Sequence, residues 1–158
     1  MLTHDASEAF ADLFIDAAQR RGLQSRRAWV QSPRLKPGSV EATVRLLFEP
    51  PDGKRPDALL LEDDNFVEDA THTLKDMTIH VPDQVGVVTH CNFPNIPPSA
   101  VPVTRMGFDA GELLLDCVGT LRRLRCGAKV TGVKTIPAVY ERETERNQHP
   151  RAAVGKNT

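Results

Sequence analysis

VEATVRLLFE, Val40–Glu49, reads as a strand with one buried face. Val40, Ala42, Val44, Leu46 and Phe48 alternate with Glu41, Thr43, Arg45, Leu47 and Glu49, the period-two pattern of an antiparallel sheet. PPDGKRP, residues 50–56, follows with turn chemistry, and Asp52-Gly53 suits a hairpin loop. Ala58–Leu61 then returns as the partner strand.

A second hairpin is predicted further along. Thr71–Val81 turns at Pro82-Asp83-Gln84 into Val85–Phe93. Upstream, residues 5–21 read as a helix with Asp5 and Glu8 as a capping box and Phe10, Leu13, Phe14 and Ala17 as the buried stripe. Ser25–Ser39 is a basic connection holding a short strand at Trp29-Val30.

The most completely specified element is GFDAGELLLDCVGTLRRLRCG, Gly107–Gly127. Asp109 is a natural N-cap, with Glu112 three residues on. Leu113, Leu114, Cys117, Val118, Leu121 and Leu124 recur at helical spacing. Arg122, Arg123 and Arg125 complement the helix dipole, and Gly127 ends it. This helix is expected to pack on the sheet as the main core element, with a strand crossing closely at Gly119. Ala128–Glu141 gives a last strand, placed at an edge by Pro137. The expected architecture is α+β, a mostly antiparallel sheet of five to six strands against two amphipathic helices. One domain covers 1–143, and 144–158 reads as a disordered polar tail.

Composition bounds the function only by exclusion. The 158 residues carry 20 basic and 21 acidic side chains, so no global field argues for nucleic acid or an anionic surface. No apolar run reaches the roughly 18 residues of a membrane span. Three cysteines without paired spacing make no disulfide framework, and a cytoplasmic setting is expected. Phosphate-loop, dinucleotide-binding and nucleophile-elbow motifs do not occur, so the sequence reads against an enzyme.

Five groups of residues stand out. Asp76, His90 and Cys91 would meet in one hairpin register as a carboxylate–imidazole pair beside a thiol, a weak candidate catalytic site. His72 and His80 stand about 26 Å apart on a strand, too far to share an ion, so no metal site is assigned. Glu62, Asp63, Asp64, Glu68 and Asp69 form an acidic crossing segment that reads as a solvated loop. The stretch of residues 20–36, with Arg26, Arg27, Arg34 and Lys36 around Trp29, is a candidate nucleic-acid surface. Pro94, Asn95, Ile96, Pro97 and Pro98 form an extended arm, since prolines remove donors and fix the backbone.

Nothing calls for a cofactor. Arm, edge strand and tail together suggest a non-enzymatic interaction or assembly module, able to self-associate. A nucleic-acid accessory protein is the second expectation, and a small Cys/His enzyme the third.

Overall fold

The computed structural model describes residues 1–4, 7–34, 36–50 and 53–148. Among these, four strands form one sheet in the order β1-β2-β3-β4: β1 Ala58–Leu61, β2 Gly86–Phe93, β3 Thr104–Asp109 and β4 Val139–Tyr140. β1 pairs with β2 and β2 with β3 in parallel; only β4 is antiparallel. Five helices accompany them: α1 Glu8–Gln19, α2 Ser39–Phe48, α3 Val67–Asp76, α4 Ala110–Arg125 and α5 Glu141–Gln148. The expected α+β fold with a mostly antiparallel sheet and two helices is therefore corrected to α/β with a mostly parallel sheet.

The first misplacement is Val40–Glu49, which is helix α2. Its sequence satisfies two periods at once. Val40, Val44, Leu47 and Phe48 are buried at i, i+4, i+7 and i+8, while Leu46 is 59% exposed. Gly38, at φ 76°, starts the helix where a side chain would be strained. The second is Thr71–Val81. Val67, Ala70, Thr71 and Leu74 are buried on one face of α3, whose first turn carries Glu68 and Asp69. Reading 62–69 as a crossing loop removed that turn and left a false alternation behind it. With both hairpins gone, Ala58–Leu61 and Val85–Phe93 remain strands but run parallel, linked by α3.

Two short extended pieces continue the sheet beyond β1. Leu2 bridges in parallel to Leu61 and to Gln31. The Leu2 N–H donates to the Leu60 carbonyl at 2.8 Å and the Thr3 N–H to Gln31 at 3.0 Å. The Met1 amine donates to the Trp29 carbonyl at 2.6 Å, and burial lowers its pKa to about 6. Trp29-Val30 is thus a turn entering an extended residue, not a strand. Counted along the chain, the parallel pieces lie in the spatial order second, first, third, fourth, fifth, with antiparallel β4 beyond them, a doubly wound arrangement.

Right-handed crossovers then dictate which face each helix covers. Connections toward β2 put α2 and α3 on one face, where they enclose Leu2, Leu59, Leu61, Phe66, Val85 and Val87. The connection running the other way puts α1 on the opposite face, with Ala11, Phe10, Phe14 and Ile15 around Met1, Val30 and Leu60. Leu59 and Leu61 face one layer and Leu60 the other, as strand alternation requires. In α1 the cap is Ser7, which accepts from the Phe10 N–H at 3.4 Å; Asp5 lies outside the described residues, and Leu13 is exposed rather than buried.

The helix at 107–127 has the cap and stop its sequence predicts. The Asp109 carboxylate accepts from the Gly111 and Glu112 N–H groups at 2.9 and 3.0 Å, and Gly127 has φ 77°. Its place in the fold is different from the expectation: none of its residues is buried, and open space surrounds Gly119. The close approach belongs to Gly107 instead, in β3 beside Cys91 of β2. Of Ala128–Glu141, only Val139–Tyr140 is strand. α5 runs through residues 144–148 of the expected tail, and 149–158 lie outside the described residues.

Candidate functional site

In an open parallel sheet, ligands bind beyond the carboxyl ends of the strands, at the crevice where the winding reverses. Here that reversal falls between the Leu2 piece and β1. The residues leaving it are Thr3 and His4 on one side and Glu62, Asp63 and Asp64 on the other. Glu62 Oε2 accepts from Thr3 Oγ1 at 2.7 Å, and His4 Nδ1 lies 3.3 Å from the same oxygen. Ser32 Oγ donates to the His4 carbonyl at 3.0 Å, fixing the far wall. Asp63 turns the chain into α3 by accepting from the Asn65 N–H at 3.0 Å.

The next strand adds an amide. Asn92 Nδ2 donates to Asp64 Oδ2 at 2.9 Å, joining the loop after β1 to the end of β2. Asn92 Oδ1 lies 3.4 Å from His90 Nε2, and the His90 ring meets Phe108 of β3 at 5.9 Å between centroids, tilted 55°. Glu62 and Asp64 are half-buried, whereas Asn92 and Phe108 are exposed. The rim therefore presents carboxylate oxygens, a side-chain amide and an aromatic face. Such a set accepts from and donates to hydroxyl groups while an apolar ring face covers C–H surface.

Of the candidate catalytic residues singled out from sequence, only His90 belongs to this rim, together with Glu62 and Asp64 of the acidic segment. Cys91 points from the same strand into the interior: it is fully buried, and its Sγ contacts the Asn95 carbonyl at 3.3 Å. Burial pushes its thiol pKa up, against a smaller opposing effect of Arg105, while Glu141 and Asp64 add to the rise. Asp76 closes α3, so no hairpin sets it opposite His90, which pairs in register with Met106. His72 and His80 are exposed, the first on α3 and the second in the loop beyond it. Among the described residues, no three His, Cys, Asp or Glu side chains are placed to hold a metal ion.

This arrangement predicts graded thiol chemistry. Cys117 and Cys126 are exposed and Cys91 is buried. With a chromogenic disulfide at pH 8, the two exposed thiols should react promptly and Cys91 roughly a hundredfold more slowly until the protein is unfolded. Prompt reaction of all three would contradict the burial of β2.

The basic segment does not form a stacking groove. Trp29 packs against the main core with the Arg26 guanidinium 5.1 Å above its ring. Arg27 is paired with Asp12 at 3.0 Å, and the Arg34 N–H donates to Ser39 Oγ. Lys36 lines a shallow depression at the start of α2. The proline stretch is likewise not a free arm. The Asn95 N–H donates to the Asn92 carbonyl at 2.8 Å, and the Ala100 N–H to Thr71 Oγ1 at 3.0 Å. Ser99 Oγ accepts from Arg105 at 2.8 Å. Pro94, Asn95, Ile96, Pro97 and Pro98 thus belong to the connection from β2 to β3, held down on its own fold.

Sequence reasoning missed Glu62, Asp64 and Asn92 as one site. The available signal was a short apolar strand, ALLL, followed at once by EDDN and a helix, which is the form of a strand-to-helix loop at the ligand edge of such sheets.

The winding order defines an open α/β domain with a polar rim at the carboxyl edge of its sheet. Residues 2–145 match the family model described as periplasmic binding protein-like domain, and the chain belongs to that family. No curated protein matches. Among solved structures, a sugar-binding LacI-family regulator from Escherichia coli, complexed with phosphate, is 20% identical with a TM-score of 0.68; the match covers 88% of this chain and 51% of that one. A LacI-type regulator from Bifidobacterium animalis subsp. lactis is 23% identical with a TM-score of 0.66, covering 85% and 48%. A LacI-family regulator from Lactobacillus casei with bound sucrose is 18% identical with a TM-score of 0.63, covering 82% and 48%. These likenesses establish the fold, and the chain spans about half the length of the structures it resembles.

The family match overturns the expectation of an assembly module built on a proline arm. Among the described residues, no helix is long and apolar enough to cross a membrane.

Proposed function

We propose that this chain is the effector-sensing part of a LacI-type transcriptional regulator, with a small polyhydroxylated ligand, a sugar, as its effector. The observation that carries the reading is the Asp64–Asn92 pair beside Glu62 at the winding reversal of the sheet. Carboxylate and amide groups at this spacing can each engage adjacent hydroxyls, and Phe108 offers the aromatic face that sugar C–H surfaces favour. Support comes from the family to which residues 2–145 belong and from the sugar-binding and sucrose-bound regulators that share the fold. The partners implied are the sugar, further copies of the regulator and DNA.

The test is a titration of the isotope-labelled chain with a panel of mono- and disaccharides, followed by amide chemical shifts. A ligand should move the signals of residues 62–65, 92 and 108. Asn92→Ala and Asp64→Ala should each weaken binding at least about tenfold, as expected when a site built to hydrogen-bond hydroxyls loses one of its polar groups. A panel that shifts nothing at this edge, or variants that bind as well as wild type, would end the reading.

A further inference from the structure

We infer, resting on the sugar reading above, that this rim selects a cationic ligand, an amino sugar whose ammonium group sits between Glu62 and Asp64. The two carboxylates leave β1 two residues apart and reach opposite walls of the crevice. Glu62 turns to the Leu2 side, where its Oε2 meets both the Thr3 hydroxyl at 2.7 Å and His4 Nδ1 at 3.3 Å. Asp64 turns to the β2 side, where its Oδ2 accepts from the Asn92 amide at 2.9 Å. Each contact uses one oxygen of its carboxylate, so Glu62 Oε1 and Asp64 Oδ1 carry the acceptor capacity that is left. Asp63 between them is committed to the start of α3: its Oδ1 accepts from the Asn65 N–H at 3.0 Å and from Asn65 Nδ2 at 2.8 Å.

The surrounding charge decides which ligand that capacity suits. Among the described rim residues the one basic group is the His4 imidazole, and no described lysine or arginine pairs with Glu62, Asp63 or Asp64. Arg105 of β3 lies in register with Thr89, on the sheet face opposite His90 and Asn92, and is taken up by Glu141 and Ser99. The start of α3 would attract an anion, but Glu68 and Asp69 in its first turn already offset its dipole. A phosphate or carboxylate at this rim would therefore meet two like charges without a counter-charge, which is strongly unfavourable. An ammonium has three donors and no acceptor, which matches oxygens that only accept, and its bonds to them are charge-assisted. Asn92 and the face of Phe108 are left for the neutral remainder of the ring.

Four probes of similar shape separate the charges: glucose, glucosamine, N-acetylglucosamine and glucose 6-phosphate, each titrated into the isotope-labelled chain. Protonated glucosamine should move the amides of residues 62–65 and 92 with a Kd at least about tenfold below those of glucose and N-acetylglucosamine. Glucose 6-phosphate should bind most weakly. Raising the salt from about 0.01 M to about 1 M should lower the preference for glucosamine over glucose at least about threefold. Glu62→Gln and Asp64→Asn keep the shape and remove the charge, and each should lower that preference at least about fivefold. Glucose or N-acetylglucosamine binding as tightly as glucosamine would overturn the inference and leave the sugar reading standing. Tighter binding of glucose 6-phosphate would do the same, as would a preference that salt and both variants leave unchanged. If none of the four probes moves this edge, both readings fall.

Discussion

Val44→Asp is expected to unfold the protein, and Leu46→Glu to leave its stability within about 0.5 kcal/mol of wild type. The two positions are two apart, so a strand would set them on one face. In α2 they diverge: Val44 is fully buried between α3 and the sheet, and Leu46 is 59% exposed. Val44→Asp removes a packed side chain and places a carboxylate where no partner can reach it. The combined cost should exceed about 4 kcal/mol, a large part of the stability of a single domain. Urea unfolding of both variants measures the difference. Equal losses would mean that residues 40–49 are extended after all, and the parallel crossover from the Gln31 piece to β1 would fall with them, because α2 forms it.

That pair of residues also shows how much of the fold could be read in advance. Elements whose signals are local were legible. Asp109 and Gly127 bound α4, ALLL is a strand, and Gly86–Phe93 is all but the first residue of the strand expected over Val85–Phe93. What failed were segments whose apolar residues satisfy both periods. In VEATVRLLF, positions 40, 44 and 48 belong to a period of two and to a spacing of four, so only flanking residues could decide. PPDG after Glu49 reads as a hairpin loop and points to a strand. With two helices read as strands, parallel pairing has no crossover to make it.

The site followed the same logic. EDDN and HCN were each noticed, one as an acidic loop and the other as part of a thiol–imidazole pair. Their convergence depends on parallel register, which sets β1 beside β2 with Leu61 opposite Thr89 and brings the loop beyond it within 2.9 Å of Asn92. An antiparallel hairpin would have sent Asp64 and Asn92 to other places. The burial of α4 was misjudged for a different reason: periodicity reports that a helix has an apolar face, not which surface covers it.

Gly107→Ala and Gly119→Ala make the same chemical change and should move stability in opposite directions. At Gly107 an added Cβ would stand 1.7 Å from the Cys91 carbonyl oxygen, backbone of the adjoining strand, so β2 and β3 must separate to admit it. Separation strains the central parallel ladder and loosens Cys91 and Phe93 in the core, and a loss of about 3 kcal/mol is expected, at the upper end of overpacking effects. At Gly119 nothing lies within 4 Å, and alanine improves helix propensity by about 1 kcal/mol. Denaturant midpoints report the first, and far-ultraviolet dichroism of α4 the second. The sequence alone assigns the close approach to Gly119, the glycine inside an amphipathic helix; the structure assigns it to Gly107, which looked like mere flanking residue. If Gly119→Ala proves the damaging change and Gly107→Ala the silent one, α4 packs against a strand, and its exposed face does not survive.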